Sequence, residues 1–295
     1  LLEVRDNDGN LLLSPAPTII GQEVLSQYMS ERRVLPGVTT GAGHDLTVVL
    51  LNPESETLSG QIELPDQAAV RYQIAPGESF VHVVAADGRI PMTGFGVVRA
   101  EQGPAPAAFA LSAAQLRDGS TQSVHLVSSA QEGTLFWAPV NTHPDVLHHG
   151  SIDTELSLVN EGEQPATAYL EWYDLDGNSV GRYEQIVPLG EQVAISLEEV
   201  FGQSPMRGTV RVFSDVDVAA SLLEKTSTFT GRDIATSIPL QTTPDSSHSS
   251  VVFPLFRNGE GQATEALLIN TDREHNSGSL TVIGKDGNTR SVILR

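Results

Sequence analysis

Two acidic turns in this chain carry the residue types that bind calcium. Oxygen-bearing side chains recur at alternate positions in them, at Asp174, Asp176 and Asn178 and at Asp6, Asp8 and Asn10. An EF-hand loop opens in this way, but it also needs a bidentate Glu at its last position. Gln185 and Pro17 occupy that position here. The sequence therefore favours hairpin turns, in which Asp accepts backbone N–H bonds and Gly adopts a positive φ, and it leaves calcium binding open.

A histidine-rich loop is the second candidate site. Its possible metal ligands are His143, His148, His149 and Asp153. Imidazole and carboxylate groups could hold Zn²⁺ or Ni²⁺. Adjacent histidines in a polar loop rarely point at one centre, and a real site also needs neighbouring groups that orient the ligands. We therefore expect a solvated, dispensable loop, and metal binding there stays open.

Aromatic residues near the middle of the chain form the third candidate: Trp137, Tyr169, Trp172 and Tyr173. In the predicted strand 168–173, Trp172 shares one face with Leu170 and should lie in the core. Tyr169 and Tyr173 share the other face with Glu171, and we expect Tyr183 beside them. Such a face is a possible platform for stacking sugar rings, to which Trp137 could also belong.

Catalytic motifs do not stand out in this sequence. It has no G-x-S-x-G, no H-E-x-x-H and no phosphate-cradling glycine loop. A Ser, His and Asp brought together only in space stays open, as does a pair among the 37 acidic residues. We predict no enzymatic activity, no catalytic or metal residues and no cofactor.

Charge and composition limit the possible partners. The chain has 295 residues and a formal net charge of −20. This charge disfavours binding to nucleic acid and to anionic membranes. No apolar run reaches the ~18 residues of a membrane span. Cysteine is absent, which excludes disulfides and thiolate chemistry.

The strands that would position these residues recur along the chain. Short runs of the T-x-L-x-L-x-N type close on Asn52, Asn160 and Asn270, which are 108 and 110 residues apart. Alternate apolar residues ahead of each asparagine should face a core. These positions are Val48, Leu50, Leu156, Leu158, Ala266 and Leu268, and in the central unit we add Trp172, Val210 and Val212. A single helical turn is expected within 193–201.

The repeats predict four units along the chain. Two are whole β-sandwich repeats, 34–131 and 132–246, and two are partial, 1–33 and 247–295. Either the partial units are cropped from a longer array, or the C-terminal one docks head to tail on the N-terminal one of the next subunit. The second arrangement would complete each sandwich by strand complementation.

The order of the motifs is distinctive. A Pro-containing apolar opener, a T-x-L-x-L-x-N strand, a D-x-D-G-N turn, a Gly-Glu turn and a G-x-V-x-V strand follow one another. This order resembles the tandem immunoglobulin-like β-sandwich repeats of bacterial secreted and surface proteins, over nearly the whole chain. The resemblance implies an all-β fold of antiparallel sandwiches in an exported, fibrous or adhesive protein, and it implies no ligand.

Together these observations predict a non-catalytic structural building block of an extracellular filament or cell-surface array. Two alternatives remain: a carbohydrate- or surface-binding adhesin module, and an accessory β-sandwich region of a larger secreted enzyme. The expected partners are further copies of the chain, and a cell surface or glycan. Nucleic-acid binding and membrane insertion are not expected.

Overall fold

Alternating apolar residues produce a structure made almost entirely of strands. The computed structural model describes residues 4–5, 11–13, 30–41, 43–85, 92–115, 121–142, 144–145, 150–202, 205–227, 233–242, 278–283 and 289–294. The chain divides into two compact units, one of Leu1–Pro15 with Ile20–Thr242 and one of Ala16–Ile19 with Thr243–Arg295. The predicted all-β sandwich fold is confirmed. The domain boundaries given above stay predictions.

A short antiparallel hairpin and then a complete sandwich begin the first unit. The hairpin pairs β1 (Val4–Arg5) with β2 (Leu11–Leu13). The sandwich contains β3 (Arg32–Thr40), β4 (His44–Leu51), β5 (Leu58–Glu63), β6 (Val70–Ile74), β7 (Ser79–Val84), β8 (Met92–Gln102), β9 (Ala107–Gln115) and β10 (Thr121–Ser128). One of its sheets has the order β3-β8-β5-β6, and the other has the order β10-β9-β4-β7. Val48 and Leu50 are buried between them, as predicted.

A second sandwich follows in the same unit. Its elements are β11 (Gln131–Asn141), β12 (Pro144–Asp145), β13 (Gly150–Val159), β14 (Ala166–Tyr173), β15 (Ser179–Val187), β16 (Gln192–Ser196), α1 (Leu197–Phe201), β17 (Arg207–Ser227), β18 (Asp233–Pro239) and β19 (Gln241–Thr242). β19, β11, β17, β14 and β15 pair in that order on one side. β16, β13, β17 and β18 pair on the other. The predicted core residues are confirmed, since Leu156, Leu158, Trp172, Val210 and Val212 all lie between the sheets.

The helical turn expected within 193–201 is present as α1. Ser196 caps its N-terminus by accepting a hydrogen bond from the backbone N–H of Glu199. Gly202 ends the helix with a φ of 63°. This is the one helix in the ranges that the structure describes, and no helix there is long and apolar enough to cross a membrane.

The sequence predicts two separate strands at the apolar runs 208–213 and 219–223, and this prediction is wrong. Both runs lie in the single strand β17, which spans 21 residues and belongs to both sheets. The segment between them contains no Gly or Pro, so the backbone stays extended while it passes from one sheet to the other. In the first sandwich Gly103, with a φ of 75°, and Pro104 separate the corresponding strands β8 and β9.

The recurring asparagines close a loop in each sandwich. Asn160 is 0% exposed and its Nδ2 donates to the carbonyl oxygens of Gln164 (2.8 Å) and Val187 (3.0 Å). Its Oδ1 accepts from the backbone N–H of Gly162 (2.9 Å). Asn52, which is 2% exposed, makes three equivalent side-chain bonds in the first sandwich. The amide of Asn supplies both the donors and the acceptor for these buried and partly buried backbone groups, which explains why the motif ends in Asn.

Strand pairing joins the two sandwiches. β10 lies parallel to β18, with Leu126 opposite Thr236. The resulting path of eight strands runs β12-β13-β17-β18-β10-β9-β4-β7. Val127 of β10 packs in the first core and Ile238 of β18 packs against the second. In the register of this parallel pair, Val127 and Ile238 are one residue out of step, so their side chains point to opposite sides of the sheet. The two cores therefore lie on opposite faces of the continuous sheet.

Side chains of the first sandwich also cover part of the second. Val34 packs with Ala130, Val159 and Ala219, and Phe95 lies against this group. Two ion pairs flank the contact: Arg99 Nη2 lies 2.9 Å from Glu161 Oε1, and Arg32 Nη2 lies 2.6 Å from Glu132 Oε1. The outward faces of β3 and β8 are therefore used for contact inside the chain.

The second unit contains one described hairpin, β20 (Gly278–Ile283) with β21 (Thr289–Leu294). The sequence D-G-N occurs at 8–10, 176–178 and 286–288, and each stretch lies between the two strands of an antiparallel pair, as the hairpin interpretation predicts. The turn residues of the first and third copies, and the closing Asn270 with Ala266 and Leu268, lie outside the described residues.

Candidate functional site

The outward face of the sheet β11-β17-β14-β15 brings together the side chains best suited to hold a ligand. Opposed residues in antiparallel strands point to the same side of a sheet, so the register defines rows. One row is Leu135, Phe213, Tyr169 and Glu184. The next row is Trp137, Arg211, Glu171 and Arg182. Tyr173 and Ser179 belong to a third row. We call the surface formed by these ten residues the aromatic face.

Glu171 is the centre of a dense polar network in the aromatic face. It is only 7% exposed, although its side chain points away from the core. Its Oε1 accepts from Ser179 Oγ (2.8 Å) and from Arg182 Nε (2.9 Å). Its Oε2 accepts from the Tyr173 hydroxyl and from Arg211 Nη2, both at 2.6 Å. Both carboxylate oxygens are thus held by neighbouring strands, so this row is rigid.

The environment of Glu171 fixes its charge. Burial alone would raise the pKa of this carboxyl, but the hydrogen bonds from Tyr173, Ser179 and Arg182 and the positive charge of Arg211 outweigh burial. Together they lower the pKa of Glu171 from 4.5 to about 2. Burial and the bond to Glu171 raise the pKa of the Tyr173 hydroxyl. Glu171 is therefore ionised and Tyr173 is neutral at physiological pH.

Aromatic rings surround this network. The Arg211 guanidinium lies 5.9 Å from the centre of the Trp137 ring and 5.8 Å from that of Tyr173, within cation–π distance. In the neighbouring row the rings of Tyr169 and Phe213 are stacked, with their centres 6.3 Å apart and their planes 25° from parallel. Tyr169 is 45% exposed and Phe213 is 47% exposed. The protein thus presents flat apolar rings to solvent beside fixed polar groups.

An open groove runs over these rows. Its volume is about 580 Å³, and its lining includes Leu135, Tyr169, Glu171, Arg182, Glu184, Arg211 and Phe213. Pockets for small ligands have about 300–1,000 Å³ and combine an apolar lining with a few fixed polar groups. The groove falls within that size range, and it combines apolar and aromatic residues with four charged side chains.

The aromatic prediction is confirmed for most of its residues. Trp172 and Leu170 are buried in the core, whereas Tyr169 and Tyr173 lie with Glu171 on the outward face. The expected position of Tyr183 is wrong. Its ring packs against the core, because Tyr183 is opposite Leu170 in the register and shares the inward side with it.

The central acidic turn is a hairpin turn in the structure. Asp174 Oδ1 accepts from the backbone N–H groups of Asp176 (2.9 Å) and Asn178 (2.8 Å). The Asn178 amide also donates to Asp174 Oδ2 (3.0 Å), and Gly177 has a φ of 81°. These bonds use the oxygens that a cation would need, and they lower the pKa of Asp174. Calcium binding by this turn stays an open question.

The histidine loop lies largely outside the described residues, which include neither His143, His148 nor His149. Asp153 belongs to β13, and its Oδ1 accepts from the backbone N–H of Thr154 at 2.7 Å. Among the described residues, no three His, Cys, Asp or Glu side chains group together in a way that could hold a metal ion.

Sequence reasoning missed Arg182, Arg211 and Phe213. Arg211 and Phe213 alternate with the core valines of the G-x-V-x-V strand, so their outward direction follows from period two alone. Their contact with Glu171 and Tyr169 depends on the register between β14 and β17, which are distant in sequence. No local signal specifies that register.

Comparison with known proteins adds little to this picture. Neither a protein-family model nor a curated protein matches the chain. Among solved structures, Bacteroides uniformis beta-glucuronidase 2 covalently bound to cyclophellitol-6-carboxylate aziridine aligns with 9% identity and a TM-score of 0.18. A beta-glucuronidase from glycoside hydrolase family 2 aligns with 8% identity and a TM-score of 0.15.

These alignments cover 72% and 70% of this chain but only 27% and 23% of those enzymes. The chain therefore spans about a quarter of their length. At such low TM-scores the likeness carries no argument about activity or substrate.

Proposed function

We propose that this chain is a non-catalytic binding module that holds carbohydrate on its aromatic face. The observation that carries the proposal is the pair of rows on that face, in which stacked, exposed Tyr169 and Phe213 adjoin the fixed Arg211–Glu171–Arg182 row. A pyranose ring has an apolar C–H face and a rim of hydroxyl groups. The rings match the C–H face, and the arginine N–H groups not used by Glu171 match the rim.

Charge favours a neutral glycan over a polyanion. The lining of the groove contains two arginines, Arg182 and Arg211, and two carboxylates, Glu171 and Glu184, so its charges balance. The chain as a whole has a net charge of −20, which repels polyanions at long range. The arginine and glutamate side chains balance each other in charge, and they can still form hydrogen bonds with sugar hydroxyls.

The equivalent face of the first sandwich supports an interaction role. Glu63 is opposite Val97 there, just as Glu171 is opposite Arg211 in the second sandwich. That first face is occupied, because Arg99 and Arg32 reach Glu161 of the second sandwich. The aromatic face has exposed rings at the corresponding positions. The same sheet face therefore serves as a contact surface inside the chain and, in our proposal, outside it.

Catalysis on this face is disfavoured by the chemistry of its central acid. A general acid or base works best with a pKa near the operating pH. The pKa of Glu171 is about 2, and both of its oxygens already accept hydrogen bonds. We therefore assign it a positioning role, in which it fixes the two arginines.

A glycan array probed with the full chain tests the proposal. We expect selective binding of neutral glycans, and we expect Tyr169→Ala and Phe213→Ala to weaken it at least ~10-fold, which corresponds to about 1.4 kcal/mol. Leu175→Ala is the matched control, because Leu175 is 58% exposed but lies in the turn after β14. Absence of glycan binding, or equal binding by all three variants, would refute the proposal.

A structural role is the second candidate, and the continuous sheet favours it. The parallel pairing of β10 with β18 joins the two sandwiches through one sheet. A protein that transmits force within a surface array needs such a connection. The filament role and head-to-tail strand complementation stay predictions. So do immunoglobulin-like topology, an extracellular location, and the alternative of an accessory region in a larger secreted enzyme. Stretching single molecules would test this role, for which we expect the two sandwiches to unfold in one step.

A further inference from the structure

Besides the aromatic face, the protein exposes apolar side chains on the outer face of the sheet β10-β9-β4-β7 in the first sandwich. Its outward residues stand in register across β7, β4 and β9, with Val81 opposite Val49 and Val49 opposite Phe109. We call this surface the apolar face; its members are Val49, Leu51, Val81, Val83, Phe109 and Leu111. The polar residues on the same side are Ser79, Thr47, Ser128 and Asp45, and Asp45 at the start of β4 is the one charged residue among them. The outer face of a sandwich sheet normally carries mainly polar residues, so the apolar composition of this face needs an explanation.

Exposure along this face changes from one end to the other. Val81 is 55% exposed and Val83 is 58% exposed at the β7 end. At the β10 end, Val124 and Leu126 point to the same side and are only 5% and 8% exposed. The buried end is the one at which β18 pairs with β10. Among the described residues, apolar outward side chains of this sheet are thus buried where β18 continues it and exposed at β7, beyond which no described strand pairs.

Strand β7 is the end of the eight-strand path and lacks the usual protection of an edge. It contains no Asp, Glu, Lys, Arg or Pro, and its pairing with β4 has no bulge. Natural edges are normally blocked by charge, proline or bulges, because an open edge recruits another strand. Two other described edge strands carry charge: β6 has the largely exposed Arg71, and β15 has Arg182. Gln192 ties β16 to Gly37.

We propose that β7 pairs with β7 of a second copy of this chain, which continues the sheet across a twofold axis. The distribution of charge favours a second copy of the chain as the partner and β7 as the place of contact. Two chains of net charge −20 repel each other, and a strand without Asp or Glu reduces that repulsion where the two copies meet. The same chain supplies an edge of the same composition, so the contact is self-complementary, as a twofold dimer requires.

The register of the pair follows from the side-chain directions. In an antiparallel pair about a twofold axis, residues that face each other must point to the same side of the sheet. Centring the pair on His82 places Val81 opposite Val83 of the second copy, and Val83 opposite its Val81. All four exposed valines then lie side by side in two cross-strand pairs.

The expected dimer is weak because a six-residue edge buries less surface than a standard interface. We expect a dissociation constant of about 1–100 µM, which salt lowers by screening the negative charge. Sedimentation of the full chain should show the mass rising from 31.5 kDa towards twice that value as concentration rises. Val81→Lys with Val83→Lys should abolish this rise and leave the far-ultraviolet circular dichroism unchanged. Ile186→Lys is the matched control, since Ile186 is also 58% exposed but lies on β15, and it should dimerise normally.

Cross-linking tests the strand pairing directly, because the chain has no cysteine of its own. A mixture of Val81→Cys and Val83→Cys chains should form a disulfide-linked dimer on mild oxidation, since opposed residues lie within disulfide distance. Cross-linking of Val81→Cys chains alone would support the same pair in a register centred on Val81.

Three outcomes would overturn the proposal: a monomer at about 500 µM, well above the expected constant; a dimer that survives both lysines; or slow hydrogen exchange of the β7 edge in the monomer. The last outcome would mean that another segment of this chain covers the edge.

Discussion

Replacing Asn160 with alanine should destabilise the second sandwich by about 3 kcal/mol. The buried side chain makes three hydrogen bonds with backbone groups, at 2.8, 3.0 and 2.9 Å, of which the one to Val187 is fully buried. Each such bond has a net value of about 0.5–1.5 kcal/mol, so the three together give about 1.5–4.5 kcal/mol. Alanine also removes a partner from the Val187 carbonyl, whose bond is buried, and from the Gln164 carbonyl and the Gly162 N–H, whose bonds are partly buried. The effect should therefore lie near the middle of this range.

Urea unfolding followed by tryptophan fluorescence measures this effect selectively. The chain's two tryptophans, Trp137 and Trp172, both belong to the second sandwich. With a denaturant slope of about 2 kcal/mol/M, the midpoint should fall by about 1.5 M. Gln73→Ala, at an exposed position on β6, is the control and should change stability by less than about 0.5 kcal/mol.

The equivalent change in the first sandwich, Asn52→Ala, extends the test. If the continuous sheet makes both sandwiches unfold together, Asn52→Ala should shift the tryptophan transition as well, by a similar amount. A shift for Asn160→Ala no larger than that of the Gln73→Ala control would show that the buried asparagine does not stabilise the fold, and our explanation of the recurring motif would then be wrong.

Two further predictions concern Glu171 of the aromatic face and the conformation of two glycines. Because the folded-state pKa of Glu171 is lowered from 4.5 to about 2, its stabilisation is present above pH ~4.5 and is lost as pH falls towards 2, by at most about 3 kcal/mol. Glu171→Gln should therefore be less stable than the native chain at pH 7 and should lose less stability between pH ~5 and ~2 in acid titrations; parallel profiles would contradict this. Gly208→Ala should cost more than about 3 kcal/mol in urea unfolding, since Gly208 has a φ of 137° and a Cβ there would lie 2.0 Å from the Tyr173 carbonyl oxygen. Gly77→Ala, at a φ of 72° with open space around it, should cost only about 1–2 kcal/mol, and equal losses would argue against the clash.

Local sequence patterns were enough to predict the cores and the central D-G-N turn. Leu156 and Leu158 alternate with polar residues, and a period of two assigns them to one side of a strand without any knowledge of the partner strand. Trp172 follows from the same rule. The D-G-N hairpins depend on neighbouring residues alone, since Asp174 bonds within its own turn. Features with short sequence separation are therefore readable from the sequence.

Features that depend on distant pairing were not predictable. Glu171 meets Arg211 across 40 residues, and β10 meets β18 across more than 100. Neither register is encoded by a turn of fixed length, which is what sets register in a hairpin. The continuity of β17 was missed for a related reason, because two short apolar runs look alike whether or not the backbone between them stays extended.

Equivalent positions in the two sandwiches show how one scaffold acquires two surfaces. Both keep the acid at the centre of the sheet, Glu63 in the first and Glu171 in the second. The neighbouring row differs: Arg99 in the first sandwich corresponds to Phe213 in the second, since each faces the next strand at the matching register position. Arg99 reaches Glu161 and helps to hold the sandwiches together, whereas Phe213 stacks on Tyr169 and stays exposed. Because these residues point outward, they change without disturbing the packed cores, so the difference between an internal junction and an external surface is confined to a few outward side chains.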